Sequence, residues 1–171
     1  DTGAVETTFS GRGVSGRLEA AHAPLGPLRG SVGLQLGRLD FSALGDEAFV
    51  PSSRTATAAV YAIEEWRVDR VELAAGARLE QSRVDSAGDP PQGGITRFGP
   101  AMSRTFDARN LSFSATWPVI GAWSFAGQVG VGERAPTHYE LFANGPHAAT
   151  GTWETGDPNL ARESSSTGEL S

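Results

Sequence analysis

Two histidines and three carboxylates lie between residues 138 and 157, close enough in the chain to meet at one site. They are His138, Glu140, His147, Glu154 and Asp157. Imidazole and carboxylate groups are suitable ligands for zinc, so this set is a candidate metal site. Its spacing differs from that of a His-Glu-x-x-His motif, in which one helical face presents both histidines. Of the two histidines, we expect His147 to be the stronger candidate for a metal ligand and His138 the weaker one.

An architectural interpretation competes with the metal site for residues 144–147, Asn-Gly-Pro-His. Asn, Gly and Pro each favour turns, for different conformational reasons. In this interpretation Gly145 adopts a positive φ and His147 caps a backbone group. No Ser/His/Asp or Cys/His constellation is recognisable in the chain. The sequence therefore predicts neither an enzyme nor a required cofactor.

Composition excludes several functional classes. The net charge is -6, whereas a nucleic-acid partner requires a basic surface. The absence of cysteine excludes disulfides and thiolate metal sites. The longest uninterrupted apolar run, residues 58–63, is far shorter than the roughly 20 residues of a transmembrane helix. Any membrane role must therefore depend on strands.

Alternating apolar and polar residues predict strands along most of the chain. Leu73 and Leu79 fall on one side of such a strand, and Glu72, Arg78 and Glu80 fall on the other. A period of two is the strand pattern. The predicted strands cover residues 3–10, 13–23, 28–40, 54–66, 71–84, 104–117 and 122–134, and a further strand begins near residue 164. Repeated strands separated by turn signals indicate an all-β fold.

Short and long connections alternate between these strands. Short turns are predicted at residues 24–27, 67–70 and 118–121, and long polar loops at 41–53, 85–103 and 135–162. This asymmetry is typical of outer-membrane barrels, with one short connection near Gly11 and Arg12 as an exception. Trp66, Trp117 and Trp123 stand beside the short turns, where an interfacial aromatic girdle is expected.

Residues 133–163 contain short motifs in a fixed order. They are Arg134-Ala135-Pro136, Glu140-Leu141-Phe142, Asn144-Gly145-Pro146-His147 and Gly156-Asp157-Pro158-Asn159-Leu160, followed by Glu163. In order and spacing these motifs resemble the strand-to-loop signature of TonB-dependent outer-membrane receptors. Residues 40–51, Asp-Phe-Ser-Ala-Leu-Gly-Asp-Glu-Ala-Phe-Val-Pro, are similar to the branch of that family that includes zinc-uptake receptors.

The resemblance implies an antiparallel up-and-down transmembrane β-barrel in the outer membrane of a Gram-negative cell. About seven to eight strands are too few to close a barrel of the family's roughly 22 strands. We therefore expect residues 1–171 to form part of a barrel domain, without its plug domain and remaining strands. The implied partners are outer-membrane lipid, the receptor's own plug and, through the plug, the TonB complex.

The resemblance also implies a function. Such a receptor binds a scarce metal or metal chelate at its external face and imports it with TonB-derived energy. Zinc is the first choice and enters as transported ligand, and an iron–siderophore complex is the alternative. A passive porin-type or structural barrel, and a soluble β-sandwich binding module, are the competing classes.

Strand alternation assigns two faces to the predicted wall. Leu73, Ala75, Phe113, Ala115, Phe125 and Val129 are expected to face lipid. Glu72, Arg78, Glu80 and Gln128 are expected to line the lumen and to pair with one another or with the plug. Arg134 and Pro136 are expected to end a strand, because proline cannot donate to the ladder.

Overall fold

The computed structural model describes residues 7–45, 48–89, 97–147 and 150–171. Its strands are β1 (Thr7–Ala21), β2 (Leu28–Gly45), β3 (Ser53–Val68), β4 (Val71–Ser86), β5 (Met102–Ile120), β6 (Trp123–Arg134), β7 (Asn144–His147), β8 (Thr152–Thr155) and β9 (Glu163–Leu170), and one short helix is α1 (His138–Phe142). Seven strands form one antiparallel sheet in the order β1-β2-β3-β4-β5-β6-β9, and β7 pairs with β8. The prediction of an all-β antiparallel up-and-down fold is confirmed. Within the described residues β1 and β9 are the two edges of an open sheet.

The strand register gives the sheet two faces of opposite character. Near the short turns, Leu73 pairs with Ala115 and Phe113 with Val129 on one side, which we call the apolar face. On the other side, the polar face, Arg78 pairs with Tyr61 and with Asn110. A cavity of about 440 Å³ opens on the polar face and is lined by residues from β1 to β9. The sheet therefore curves with its polar face inside.

The first strand is longer than its sequence suggested. Residues 3–10 and 13–23 were expected to form two strands joined near Gly11 and Arg12, but β1 runs without a break from Thr7 to Ala21. Gly11 pairs with Phe41 in the middle of the ladder to β2. Gly11 and Gly13, on either side of Arg12, resemble a turn signal, yet continuous pairing with a long neighbour keeps this segment extended. Residues 3–6 lie outside the described residues.

Continuous β1 removes the only exception to the alternation of short and long connections. Two residues, Asp69 and Arg70, join β3 to β4, and Gly121 and Ala122 join β5 to β6. Asp69 has a φ of 53° and Gly121 a φ of 59°, as such tight turns require. These turns lie at one end of the sheet with residues 22–27, and the long loops lie at the other end. The first long loop is shorter than predicted, because β2 continues to Gly45.

A tyrosine packs over a glycine on the polar face. Gly33 pairs with Tyr61, and a Cβ atom at residue 33 would overlap the tyrosine ring. The ring lies across the sheet so that its hydroxyl donates to Glu19 at 2.6 Å and accepts from Arg17. The missing side chain at residue 33 therefore positions a three-residue polar network.

Gly33→Ala should displace the Tyr61 ring and break its bonds to Arg17 and Glu19. We expect the free energy of unfolding to fall by about 1–3 kcal/mol, the usual cost of overpacking. The measurement is denaturant unfolding followed by tryptophan fluorescence. Gly11→Ala is the matched control, since nothing lies within 4 Å of the added Cβ there. Equal stability of the two variants would contradict the proposed packing.

Candidate functional site

The chain between β6 and β9 folds back over the polar face at the long-loop end. Helix α1 buries Leu141 completely and Phe142 almost completely against Val84 of β4 and Phe106 of β5. The sequence predicted only a polar loop here, so α1 and the β7–β8 hairpin were missed. A helix of five residues is too short to show an apolar period, and it depends on its contact with the wall.

A capping box and an arginine fix the start of α1. Thr137 donates its backbone N–H to the Glu140 carboxylate at 2.8 Å, and the Thr137 hydroxyl accepts from the Glu140 backbone at 3.3 Å. Arg134, the last residue of β6, donates to both Glu140 oxygens at 2.9 and 2.8 Å and also pairs with Glu163 of β9. Hydrogen bonds from Arg134 and then from Thr137 lower the pKa of Glu140 to about 2. Glu140 is thus engaged in holding the loop to the wall.

Asn144 connects the three long loops through hydrogen bonds. Its backbone N–H donates to the carbonyl of Phe49 at 2.8 Å, and its side-chain amide donates to the carbonyl of Arg97 at 2.7 Å. Trp153 donates its ring N–H to the Asn144 side-chain oxygen at 3.1 Å. Arg97 in turn donates to the carbonyl of Ala48 at 2.7 Å. The described parts of the three long loops therefore form one cap.

Gly145 is required for close approach and not for a positive φ. The predicted turn at residues 144–147 is wrong, because these residues form β7, where Gly145 pairs with Glu154. Gly145 is not among the described glycines with positive φ. A Cβ atom there would lie 2.9 Å from the Cα of Phe49. Pro146 takes a place in a two-stranded edge ladder, which tolerates proline.

His147 lies between an aromatic ring and a carboxylate. Its imidazole stacks on Phe49 with ring centroids 4.6 Å apart and planes 22° apart. Its Nδ1 lies 3.5 Å from Oε1 of Glu154 across the β7–β8 hairpin. Both side chains are more than a third exposed, at 35% and 44%. Among the described residues the His147 imidazole caps no backbone group, and with Glu154 it forms a partly solvated imidazole–carboxylate pair.

His138 is enclosed by aromatic rings. It is only 6% exposed, with its ring centroid 4.8 Å from Phe41 and 4.1 Å from Tyr139. Its Nε2 is buried without a hydrogen-bond partner among the described residues. Burial lowers the pKa of His138, so the neutral imidazole is favoured. Phe9, Phe41, Phe49 and Tyr139 belong to this cluster, and sequence reasoning missed them because they come from three separate segments.

Asp157 and its neighbours form a turn. The Asp157 carboxylate accepts from the backbone of Asn159 at 2.8 Å, and the backbone of Asp157 donates to the carbonyl of Glu140 at 2.9 Å. Gly156 lies so close to α1 that a Cβ atom would come within 2.8 Å of the Glu140 carbonyl oxygen. Gly156, Pro158 and Asn159 of the loop motif thus lie in a turn that follows the hairpin and packs against α1.

The structure brings together only part of the predicted ligand set. His147 and Glu154 form a pair, whereas Glu140 and Asp157 are engaged in capping and turn formation. Over the described residues, no group of three or more His, Cys, Asp or Glu side chains could hold a metal ion. His138 belongs to the same aromatic cluster as His147 and is enclosed. The metal site stays a prediction, centred on His147 and Glu154.

The four predicted lumenal residues all lie on the polar face. Arg78 donates to Gln35 at 3.0 Å and also pairs with Glu80. Glu72 pairs with Arg67. Gln128 lies opposite Ser114 and Glu169. Arg78, Glu80 and Glu72 thus have partners within the sheet, and a lumenal role for the four residues stays a prediction.

Comparison with known families gives one finding. The family model described as TonB dependent receptor-like, beta-barrel, matches residues 4–171. The chain belongs to this family. TonB-dependent receptors are transporters of the Gram-negative outer membrane, not enzymes, so the long-loop end is the external end and the short turns are periplasmic. No helix among the described residues is long and apolar enough to cross a bilayer.

Family membership gives a meaning to the two faces of the sheet. In outer-membrane barrels the apolar face is the one that contacts lipid, and the polar face is the one that lines the lumen. Trp66, Trp117 and Trp123 are on the apolar face near the periplasmic turns, as the sequence predicted for an aromatic girdle. At the same end, Nε2 of His22 lies 3.0 Å from the carboxylate of Glu64. The cap formed by the three loops covers the external end of the lumenal wall.

Acidification should loosen the cap through His138. Because burial lowers the pKa of His138, its contribution to stability is complete above the ordinary histidine pKa of about 6.5 and is lost as the pH falls below it. We expect hydrogen exchange of the amides in residues 138–147 to become faster as the pH falls from about 7.5 to about 5.5, after correction for the intrinsic exchange rates. His138→Phe keeps a ring and should flatten this dependence.

His22→Gln serves as the control for the histidine experiment, since His22 lies at the periplasmic end. Its pH dependence in residues 138–147 should match that of the natural sequence. An unchanged pH dependence in His138→Phe would show that another group opens the cap.

An arginine in the middle of the lipid face should destabilise the barrel. Phe113 pairs with Ala75 and Val129, and it lies midway on β5 between Trp117 of the girdle and the outward Arg109. Phe113→Arg should cost about 2–4 kcal/mol in unfolding measured in lipid vesicles. Ser114→Arg points into the lumen and should cost less, and Phe113→Ala corrects for the lost ring. Equal costs for the two arginines would contradict the assignment of faces.

Proposed function

We propose that this barrel wall belongs to a receptor that captures zinc or a zinc complex at its external face and imports it with TonB-derived energy. The main support for this proposal is the imidazole–carboxylate pair of His147 and Glu154. Both groups are of the type that zinc prefers, and both are partly exposed to solvent. Zinc is the transported substrate here, so its binding site must both capture the ion and release it.

The position of the pair also supports capture. The β7–β8 hairpin is held to the rest of the cap through Asn144, which bonds to two other loops. A ligand bound by His147 and Glu154 would therefore act on three loops at once. Phe49 supports the imidazole from one side, which limits its rotation. Further ligands would come from the plug or from other loops of the complete receptor.

A second candidate is a larger metal chelate, such as an iron–siderophore complex. The aromatic cluster of Phe9, Phe41, Phe49 and Tyr139 favours it, because aromatic faces suit a chelate with planar rings. Tyr139 is 40% exposed and Phe9 50% exposed, so these rings are accessible from outside. In this alternative His147 acts as part of the aromatic surface.

Substitution of His147 tests the choice between these cargoes. In the full-length receptor, His147→Ala should weaken binding of zinc chloride by about tenfold or more, which corresponds to at least about 1.4 kcal/mol. Glu154→Gln should weaken it as well, because it removes the second charged ligand. Calorimetric titration measures the affinity, and zinc-limited growth measures uptake.

His22→Ala is the matched control, because it removes a histidine at the periplasmic end. Its zinc affinity should equal that of the natural sequence. Unchanged zinc binding in His147→Ala, together with weaker binding of a ferric tris-catecholate in Phe49→Ala, would establish the chelate as the cargo.

A further inference from the structure

A histidine and a glutamate meet across three strands at the short-turn end of the apolar face. His22 follows the last residue of β1, and its backbone N–H donates to the carbonyl of Gly30 in β2 at 3.1 Å. Nε2 of the His22 ring lies 3.0 Å from a carboxylate oxygen of Glu64 in β3. Glu64 pairs with Gly30 on one side and with Ala75 of β4 on the other. The contact therefore joins the end of β1 to β3 across the strand that separates them.

Gly30 leaves the space in which the two side chains meet. A Cβ atom at residue 30 would lie 2.3 Å from Oε2 of Glu64 and 2.4 Å from the carbonyl oxygen of Ile63. Every other residue type carries such an atom, so the carboxylate could not lie over β2 beside any of them. The pair thus depends on a glycine of the neighbouring strand, as the Tyr61 network depends on Gly33 on the polar face.

His22 compensates a carboxylate that has uncharged surroundings. Among the described residues, the neighbouring positions on this face of β1 to β4 are Ala20, Leu28, Val32, Ala62, Trp66, Leu73 and Ala75. The charged residues at this end face the other side of the sheet or lie in the β3–β4 turn, and they are Arg29, Glu65, Arg67, Asp69, Arg70 and Glu72. A charged group on a lipid-facing surface is costly unless it is paired. Glu64 therefore needs His22 as its partner.

The hydrogen bonds of the His22 ring make this contact depend on a proton. Nδ1 lies 2.7 Å from the carbonyl oxygen of Ala23, which can only accept, so Nδ1 carries a proton. In a neutral ring Nε2 would then be an acceptor, and it would face the ionised Glu64 carboxylate, which is also an acceptor. When the ring holds a second proton, both nitrogens donate and both contacts are hydrogen bonds. The pair is therefore closed when His22 is protonated.

We propose that His22 and Glu64 form a proton-dependent strap at the periplasmic end of the barrel wall. Protonated His22 closes the strap and holds the end of β1 and the turn of residues 22–27 against β3. Loss of the proton opens the strap and leaves the Glu64 carboxylate without compensation on the apolar face. This device is separate from the external cap and does not depend on the nature of the cargo.

The pKa of His22 supports this order of events. The hydrogen bond to the Ala23 carbonyl, and then the one to Glu64, raise the pKa of His22 above its ordinary value of about 6.5. The contribution of the strap to stability is therefore complete below about pH 6.5 and is lost as the pH rises through the raised pKa. The contribution of His138 has the opposite sign, because burial lowers the pKa of that residue. Acid thus tightens the periplasmic end while it loosens the cap.

Histidine titration and hydrogen exchange on the same sample test the strap. The full-length receptor carries isotope-labelled histidine in lipid vesicles, and the resonance that disappears in His22→Gln belongs to His22. In the natural sequence the His22 midpoint should lie above about 6.5. Exchange of the amides in residues 22–28 should become about fivefold faster as the pH rises through that midpoint, after correction for the intrinsic exchange rates. Glu64→Gln should lower the midpoint and remove the pH dependence of the exchange.

Glu65→Gln is the matched control, because it removes the same charge from the next position of β3, on the polar face, where Glu65 pairs with Arg29. The His22 midpoint and the exchange of residues 22–28 should match those of the natural sequence. An equal effect of Glu64→Gln and Glu65→Gln would overturn the proposal, as would an unchanged midpoint in Glu64→Gln.

His22→Arg separates the proton from a purely structural role of the side chain. Arginine stays charged at every pH used, so exchange of residues 22–28 should remain slow when the pH is raised. His22→Gln lacks the charge and should exchange fast at both low and high pH. These two variants also decide the matter if Glu64→Gln fails to fold. A natural pH dependence that persists in His22→Arg would show that another group opens the turn, and the proposal would fail.

Discussion

Backbone hydrogen bonding between long antiparallel strands is the constraint on which the rest of this structure depends. In lipid an unpaired backbone N–H or C=O group costs several kcal/mol, so each strand must pair along its full length. Pairing of β1 with β2 continues from Thr7 to Ala21, through glycines that would break an isolated strand. Once the ladders are in register, every second side chain is committed to one face. The apolar face and the polar face both follow from that register.

The external cap depends on the wall in a different way. Its loops have few ladder bonds of their own, and their backbone groups are satisfied by one another, chiefly through Asn144. Such bonds require close approach, which explains why glycine stands at residues 145 and 156. Leu141 and Phe142 then anchor the cap on the apolar patch of Val84 and Phe106. A ligand that binds the cap therefore acts on a surface already joined to the wall.

Charged groups serve three separate purposes in this chain. On the polar face Arg78, Glu80 and Gln35 bond to one another, so their charges are balanced within the wall. Near the cap, Arg134 balances Glu140 and Glu163 and joins strand, helix and returning strand. On the lipid face Glu64 pairs with His22 at the periplasmic end, and the arginines lie at the opposite end of the apolar band. The same residue type therefore stabilises the wall, fastens a loop or meets lipid, according to face and height.

The sequence by itself determined the all-β fold, the assignment of faces, the tryptophan girdle and the alternation of short turns with long loops. These features depend on a period of two and on turn residues, which are local properties of the chain. It also identified the family through the motifs of residues 133–163. The sequence wrongly predicted a connection near Gly11 and Arg12, because pairing with β2 overrides the local turn preference of these residues.

Only the tertiary structure decided what the loop motifs do. The sequence grouped His138, Glu140, His147, Glu154 and Asp157 by type and proximity, but the fold separates them. Glu140 caps α1, Asp157 closes a turn, His138 is enclosed by rings from other segments, and His147 meets Glu154 across a hairpin. These roles depend on contacts between residues far apart in the chain, such as Phe49 with Asn144 and Gly145. Spacing along one strand or loop carries no information about such contacts, because the partner that completes each one comes from another part of the barrel.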